Sequence, residues 1–301
     1  MGWIRWHALI SCAALLCGGV QAADEPAPTP PDTPPEETPA PPLPPEPSAP
    51  PSAAEAPAPT TYKFEGALGP VFNVSPEYAG GAKEKFTVVP GFYLRYGRVS
   101  ISNASNFVTR RADDVFRGLG LDLKQNDQLR LNLALRLDNG RRATDSAELN
   151  GLNNVERTIR ARASATRQLG GGWKIAAGFT TDLLGRGGGQ LVDLGLSHDR
   201  RLSPRTTWSA SVGASWASAR YMQSYYGVTP GESVASGYPV YTPGSGMRDA
   251  SIGTGWRMEI DPQWVAFWGG SLGRQLGPAL NSPVVGRATS WTLNGGIARR
   301  F

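Results

Sequence analysis

Few residues in this 301-residue chain could do chemistry. There are two histidines, His7 and His198, and two cysteines, Cys12 and Cys17. A histidine general base needs an acidic, amide or hydroxyl partner within hydrogen-bond reach. His7 falls in an N-terminal leader. His198 is in phase with Val192, Leu194 and Leu196, an apolar face that offers no such partner. Both cysteines lie among the first twenty residues, so neither a disulfide framework nor a transition-metal site can be assembled beyond them. The run GRGGGQ at Gly185–Gln190 matches a phosphate-cradling loop only in its glycine content, because it lacks the Lys-Ser/Thr pair and a following helix. The expectation is a non-enzymatic protein without cofactor or metal.

The chain is instead rich in arginine, which makes up 25 of its 30 basic residues. From Thr60 onward there are 29 basic and 18 acidic residues, a net charge of +11. These charges are dispersed through strand-like segments rather than gathered on one patch, which argues against nucleic acid as a partner.

Their spacing is regular. In residues 128–138, Leu129, Leu131, Leu133, Leu135 and Leu137 alternate with Arg130, Asn132, Ala134, Arg136 and Asp138. Period-two alternation is the pattern of a strand with one apolar and one polar face. It recurs in twelve segments: 63–73, 86–96, 98–108, 116–124, 128–138, 155–169, 173–183, 190–199, 206–217, 249–260, 263–274 and 290–301. No stretch after residue 60 reaches the ~18 consecutive apolar residues of a membrane helix. Pro90 removes a ladder donor inside its segment, so a bulge or a displaced strand boundary is expected there.

The connections decide what the apolar faces meet. Alternate ones are tight and carry turn residues: 96–97, 125–127, 170–172, 203–205 and 261–262. The others are mostly long, at 74–85, 109–115, 139–154, 217–248 and 277–287, with 185–189 a short exception. Short turns at one end and long loops at the other are the signature of an outer-membrane barrel. Trp208 and Trp216 share an apolar face eight residues apart, which at ~3.4 Å per residue and ~40° tilt separates them by roughly 20 Å in depth. That is close to the spacing of two aromatic girdles. The fold expected is all-β, a transmembrane antiparallel barrel of about 12 strands over residues 61–301.

The polar faces then line the lumen. Arg95, Arg130, Arg136, Arg160, Arg162, Arg257 and Arg300 fall there, as do Glu65, Asp122, Asp138, Asp182, Asp193, Asp249 and Glu259. With Lys63, Lys124, Lys174, Glu156 and Asp199 added, ten basic groups face nine acidic ones. This balance suits a salt-bridged interior, in which the arginines pair with carboxylates such as Glu65, Glu156 and Asp138. A charged face of this kind could also line a pore. The net positive charge comes largely from loops and strand ends, including Arg110, Arg111, Arg117, Arg141, Arg142, Arg220, Arg248 and Arg287. On the outer side these suit lipopolysaccharide phosphates, or simply form a solvated basic rim.

Two segments precede the barrel. Residues 1–22 read as a secretory signal: Arg5, the apolar run ALISCAALLC, then Val20-Gln21-Ala22 as the small-residue cleavage pattern. Residues 23–60 form a disordered linker, since Asp24–Pro59 holds 16 of the 26 prolines and seven acidic residues with no Lys or Arg. An even strand count leaves both ends of the barrel on the short-turn side, which puts this arm in the periplasm as a spacer or a docking segment.

Several stretches resemble the MipA/OmpV family of outer-membrane proteins: PEYAGG (Pro76–Gly81), Pro90 to Arg98 with its YGR ending, the long loop YMQSYYGVTP…SGYPVYTPGSGMRD at 221–249, and NSPVV at Asn281–Val285. The terminal Phe301 fits as a signal to the barrel-assembly machinery, although Arg299 stands where the family usually has an aromatic residue. The resemblance covers most of residues 61–301 and not the proline-rich arm. It implies an outer-membrane barrel of a Gram-negative bacterium. It further implies a scaffold joining a murein hydrolase to a murein synthase; alternatives are a narrow porin or an adhesin acting through the 221–247 loop. The most family-specific stretch points away from the periplasm. It is expected to fold inward as a plug, with Tyr221, Tyr225, Tyr226, Tyr238 and Tyr241 packing the barrel mouth.

Overall fold

The computed structural model describes residues 64–103, 118–126 and 128–301. The signal and the proline-rich linker lie outside the described residues, as do Lys63, Arg110, Arg111 and Arg117. Two units divide the chain at Ala58/Pro59, and only the second contains described residues.

That unit is a closed antiparallel barrel of twelve strands. In order they are β1 (Phe64–Pro76), β2 (Glu84–Tyr96), β3 (Val99–Ser102), β4 (Gly118–Gln125), β5 (Leu129–Asp138), β6 (Thr158–Gly170), β7 (Trp173–Asp182), β8 (Gln190–Arg201), β9 (Thr206–Ala217), β10 (Gly246–Glu259), β11 (Trp264–Gln275) and β12 (Thr289–Arg300). Each strand pairs with its sequence neighbours, and β1 pairs with β12 to close the wall. Closure satisfies every wall strand on both edges, the condition a sheet must meet in hydrocarbon. Twelve strands joined in this order are what the alternation of residues predicts. The third of the predicted segments is described as a strand only over Val99–Ser102.

Leucine, isoleucine, valine and aromatic side chains stand exposed on the outer face, Leu135, Leu194, Ile252 and Leu293 among them. This is the inverse of a soluble protein and the expected distribution for a lipid-facing wall. Trp208 lies at the short-turn end of β9 and Trp216 at its long-loop end.

Three local expectations differ. The β1–β2 ladder runs without a register shift through the Pro70/Pro90 pair, so no bulge forms there. Beyond β3, the Asn103 side chain takes over as a partner of β2. Its Oδ1 accepts from the Phe92 N–H at 2.8 Å and its Nδ2 donates to the Pro90 carbonyl at 2.7 Å. A register shift between Asp122 and Lys124 sets Lys124 opposite Leu131, on the lipid-facing row rather than in the lumen. Glu156 also leaves the lumen set: it stands exposed on the rim, 3.7 Å from Arg186, because β6 begins two residues later.

Helices occur in the long connections: α1 (Ala219–Tyr226) and α2 (Pro230–Ser236) between β9 and β10, and α3 (Gly277–Leu280) between β11 and β12. Two single-turn 3₁₀ helices, Ala143–Asp145 and Ala147–Leu149, lie between β5 and β6.

Candidate functional site: the lumen and its mouth

Register assigns the lumen residues without ambiguity, since directly opposed residues share a face. Glu65 is opposite Arg95, Arg136 opposite Arg160, and Arg160 opposite Asp182. Arg95, Arg130, Arg136, Arg160, Arg162, Arg257, Glu65 and Glu259 fall on the inner rows of the ladder, gathered into separate groups.

Toward the short turns, Asp122 is the hub. Its carboxylate lies 2.9 Å from Arg95 Nη2 and 3.1 Å from Arg130 Nε, and accepts from Asn132 Nδ2 at 3.1 Å. A buried carboxylate shared by two guanidinium groups needs this many donors to offset its desolvation. Lys174 pairs with Asp199 at 2.7 Å and Arg300 with Glu259 at 3.5 Å. Arg257 donates to Thr207 Oγ1 at 3.5 Å. At this level an apolar cluster of Ala67, Val71, Tyr93, Val265, Phe267 and Ala298 also projects inward, which a reading of uniformly polar inner faces misses.

Toward the long loops, Arg160 pairs with Asp138 at 2.6 Å, and Arg162 with Asp193. Ser215 Oγ donates to Asp193 at 2.6 Å. Between the two levels the inner rungs carry small residues, such as Ser211, Gly213, Gly253 and Ser271.

The 221–247 loop meets the upper group. Tyr221 and Tyr225, one helical turn apart on α1, stack with ring centroids 4.5 Å apart. The Arg160 guanidinium lies 5.2 Å from the Tyr221 ring centroid and 5.9 Å from that of Tyr225, while Arg248 approaches Tyr221 from β10 at 5.6 Å. Arg160 Nη2 donates to the Tyr225 hydroxyl at 3.3 Å, and Arg248 Nη1 to that of Tyr221 at 3.2 Å. The Tyr226 hydroxyl donates to Gln275 Oε1 on β11 at 3.1 Å. α1 is thus held from β6 on one side and from β10 and β11 on the other, so it spans the mouth. Tyr221, Met222 and Tyr226 are buried there against Leu191, Ala217 and Ala279.

Tyr238 and Tyr241 lie farther out. They pack against a second apolar cluster of Tyr78, Leu149, Leu152, Val228 and Val284, drawn from four different loops. The Tyr238 hydroxyl donates to the Glu148 carbonyl at 3.0 Å, and that of Tyr241 to the Pro278 carbonyl at 2.7 Å. Tyr78 adds a hydroxyl to Glu148 Oε2 at 2.6 Å. Burial pushes the Tyr78 hydroxyl well above its ordinary pKa, and the Glu148 hydrogen bond adds to this, so the proton stays in place.

Two members of this assembly escape a reading by alternation. Arg141 is 5% exposed and donates from Nη1 to the Tyr225 carbonyl at 2.7 Å. Burial lowers its pKa, while Glu232 and Tyr225 favour its charge. Glu232 accepts from the Thr229 and Asn153 N–H groups, each at 2.8 Å. Burial alone would raise the Glu232 pKa; these donors, the Thr229 hydroxyl and Arg141 hold it below the ordinary carboxylate range. The signal was present in Thr229-Pro230-Gly231-Glu232, a capping-box sequence with proline at the first helical position.

His198 faces outward at the short-turn end, its ring 4.6 Å from Trp173 and 6.3 Å from Trp208. No group of three or more potential metal ligands occurs among the described residues. At the seam, the Phe301 N–H and carbonyl bond to Gly66, and the Phe301 ring sits 6.2 Å from Phe64.

A comparison with curated proteins gives no match. Among solved structures, the chain is similar to the anion-selective porin from Comamonas acidovorans, at 7% identity over 80% of this chain and 99% of that one, with a TM-score of 0.38. It is also similar to an outer membrane channel from Pseudomonas putida F1, at 13% identity over 79% and 95% of the two chains, with a TM-score of 0.38. The family model described as MltA-interacting protein MipA matches residues 68–301. With its closed twelve-stranded wall and outward apolar face, the chain belongs to the MipA family of outer-membrane β-barrels.

Proposed function

We propose that this protein is a non-enzymatic scaffold of the outer membrane that holds peptidoglycan-remodelling enzymes at its periplasmic side. The observation that carries the reading is α1, clamped across the mouth by Arg160, Arg248 and Gln275. A barrel filled at its mouth and ion-paired along its wall favours a role for its surfaces over one for its bore. The family's description, MltA-interacting protein, supports a protein partner; the resemblance to the family implies that this partner is a murein hydrolase and that the scaffold joins it to a murein synthase. Residues 23–60 are the periplasmic arm in this reading, and the short turns are the docking surface. The test is co-purification from crosslinked envelopes. Murein enzymes should be captured with the intact chain and lost when residues 24–60 and the short turns are replaced. Unchanged capture would count against the scaffold.

A narrow porin is the second reading, favoured by the small residues of the middle rungs, where Ser211, Gly213 and Gly253 leave space inside the wall. Planar-bilayer recording separates the two. Discrete conductance steps from the intact protein favour the porin, and silence favours the scaffold.

A further inference from the structure

The outer wall carries arginine directly above its lipid-facing band. Leu137 and Ile159 are paired across β5 and β6, and the Leu183 N–H donates to the Ile159 carbonyl at 2.9 Å, so the three residues occupy one level. Their exposures of 56%, 39% and 54% are those of side chains meant for hydrocarbon. Arg157 precedes Ile159 by two residues, just before the start of β6, and stands exposed one step closer to the long loops. Arg186, in the β7–β8 hairpin, donates from Nη1 to the Arg157 carbonyl at 3.1 Å, which holds its guanidinium against the Arg157 backbone. With Arg142, Asn139, Asn154 and Glu156 they line an open cleft of about 410 Å³.

The charge of this cleft is one-sided. Arg142, Arg157 and Arg186 face a single lining carboxylate, Glu156, which lies 3.7 Å from Arg186. Asp145, behind Arg142, is occupied by the Arg142 backbone N–H at 2.8 Å. Arg220 adds a further guanidinium beside the hairpin, bonded to the Gly185 carbonyl. An excess of exposed guanidinium groups at the edge of an apolar band matches a ligand with acyl chains below and phosphate above. Guanidinium forks hold phosphate oxygens in pairs, and buried methylenes add to the affinity. A soluble phosphate would gain nothing from the leucines beneath.

We propose that the β5–β8 wall binds a phosphorylated glycolipid of the outer leaflet. Its phosphates sit on Arg142, Arg157 and Arg186, and its acyl chains run along Leu137, Ile159, Leu183 and Leu184. The site lies on the outside of the barrel and does not depend on whether the lumen conducts or the periplasmic side recruits enzymes.

The test uses the full chain refolded in detergent, with barrel formation checked by heat-modifiable gel mobility. Diphosphoryl lipid A, dephosphorylated lipid A and inorganic phosphate are each titrated and read by native mass spectrometry. Diphosphoryl lipid A should bind, the dephosphorylated lipid should bind at least about tenfold more weakly, and inorganic phosphate should not displace the lipid. Arg157→Ala with Arg186→Ala should weaken binding by about tenfold for each guanidinium removed, whereas Arg205→Ala at the opposite rim should leave it unchanged. Equal binding of the dephosphorylated lipid, displacement by inorganic phosphate, or an equal loss with Arg205→Ala would overturn the proposal. The lipid comparison uses the unaltered chain, so it decides even if the double variant forms no barrel.

Discussion

Asp122 shows how much one lumen residue can carry. It neutralises Arg95 and Arg130 while its own exposure is 4%. Asp122→Ala leaves two guanidinium groups facing each other in a low-dielectric wall, so the barrel should lose about 3 kcal/mol. Urea unfolding from lipid vesicles would register this as a lower midpoint, and Asp122→Asn should recover part of it through Asn132. The inner position of both arginines follows from alternation alone, because period two assigns faces. Their partner does not follow, because a side chain selects its partner across strands whose register the local sequence leaves open. Glu156 illustrates the same point from the other side. It has the charge to pair in the lumen, but β6 begins two residues after it and Glu156 remains on the rim beside Arg186.

At the scale of the element, the long β9–β10 connection behaves as two helices with different anchors. α2 depends on Glu232, whose pKa is depressed in the folded state. A depressed carboxylate stabilises the fold above its unfolded value, about 4.3, and that contribution disappears as pH falls through the folded value. Limited proteolysis should therefore cut the loop more readily below about pH 4. Glu232→Gln should make cleavage as fast at neutral pH as at acid pH. α1 is anchored instead by Arg160 and Arg248. Replacing residues 219–244 with a short Gly-Ser linker should give discrete conductance steps in planar bilayers where the intact chain is silent; a linker variant that stays silent would mean that the lower ion-paired levels close the bore by themselves. The tyrosines of this loop are conspicuous in the sequence, yet an amphipathic turn of eight residues bordered by glycine and proline is weak evidence for a helix. Its seat on Arg160 is a contact between residues 65 positions apart.

For the whole molecule the decisive event is closure of β1 on β12. Gly69 sits at this seam, where an added Cβ would lie 1.9 Å from the Ile297 carbonyl oxygen and 2.8 Å from the Ala298 Cα. Backbone cannot move aside, so Gly69→Ala should push the two strands apart and cost about 2 kcal/mol. Gly195→Ala is the control, since its nearest neighbour would be the Val212 oxygen at 3.7 Å, an ordinary contact. A lower urea midpoint for Gly69→Ala alone is the expected result. The number of strands, the outward apolar face and the contrast between short turns and long loops were all determined by the sequence itself, because alternation and turn chemistry act between residues close in the chain. Only the tertiary structure decided which charges pair, that β4 slips at Asp122 to turn Lys124 outward, and that α1 lies across the lumen. Each of these depends on closing the wall, which gathers β6, β10 and β11 around a shared interior and leaves Tyr221 and Tyr225 a cation on either side.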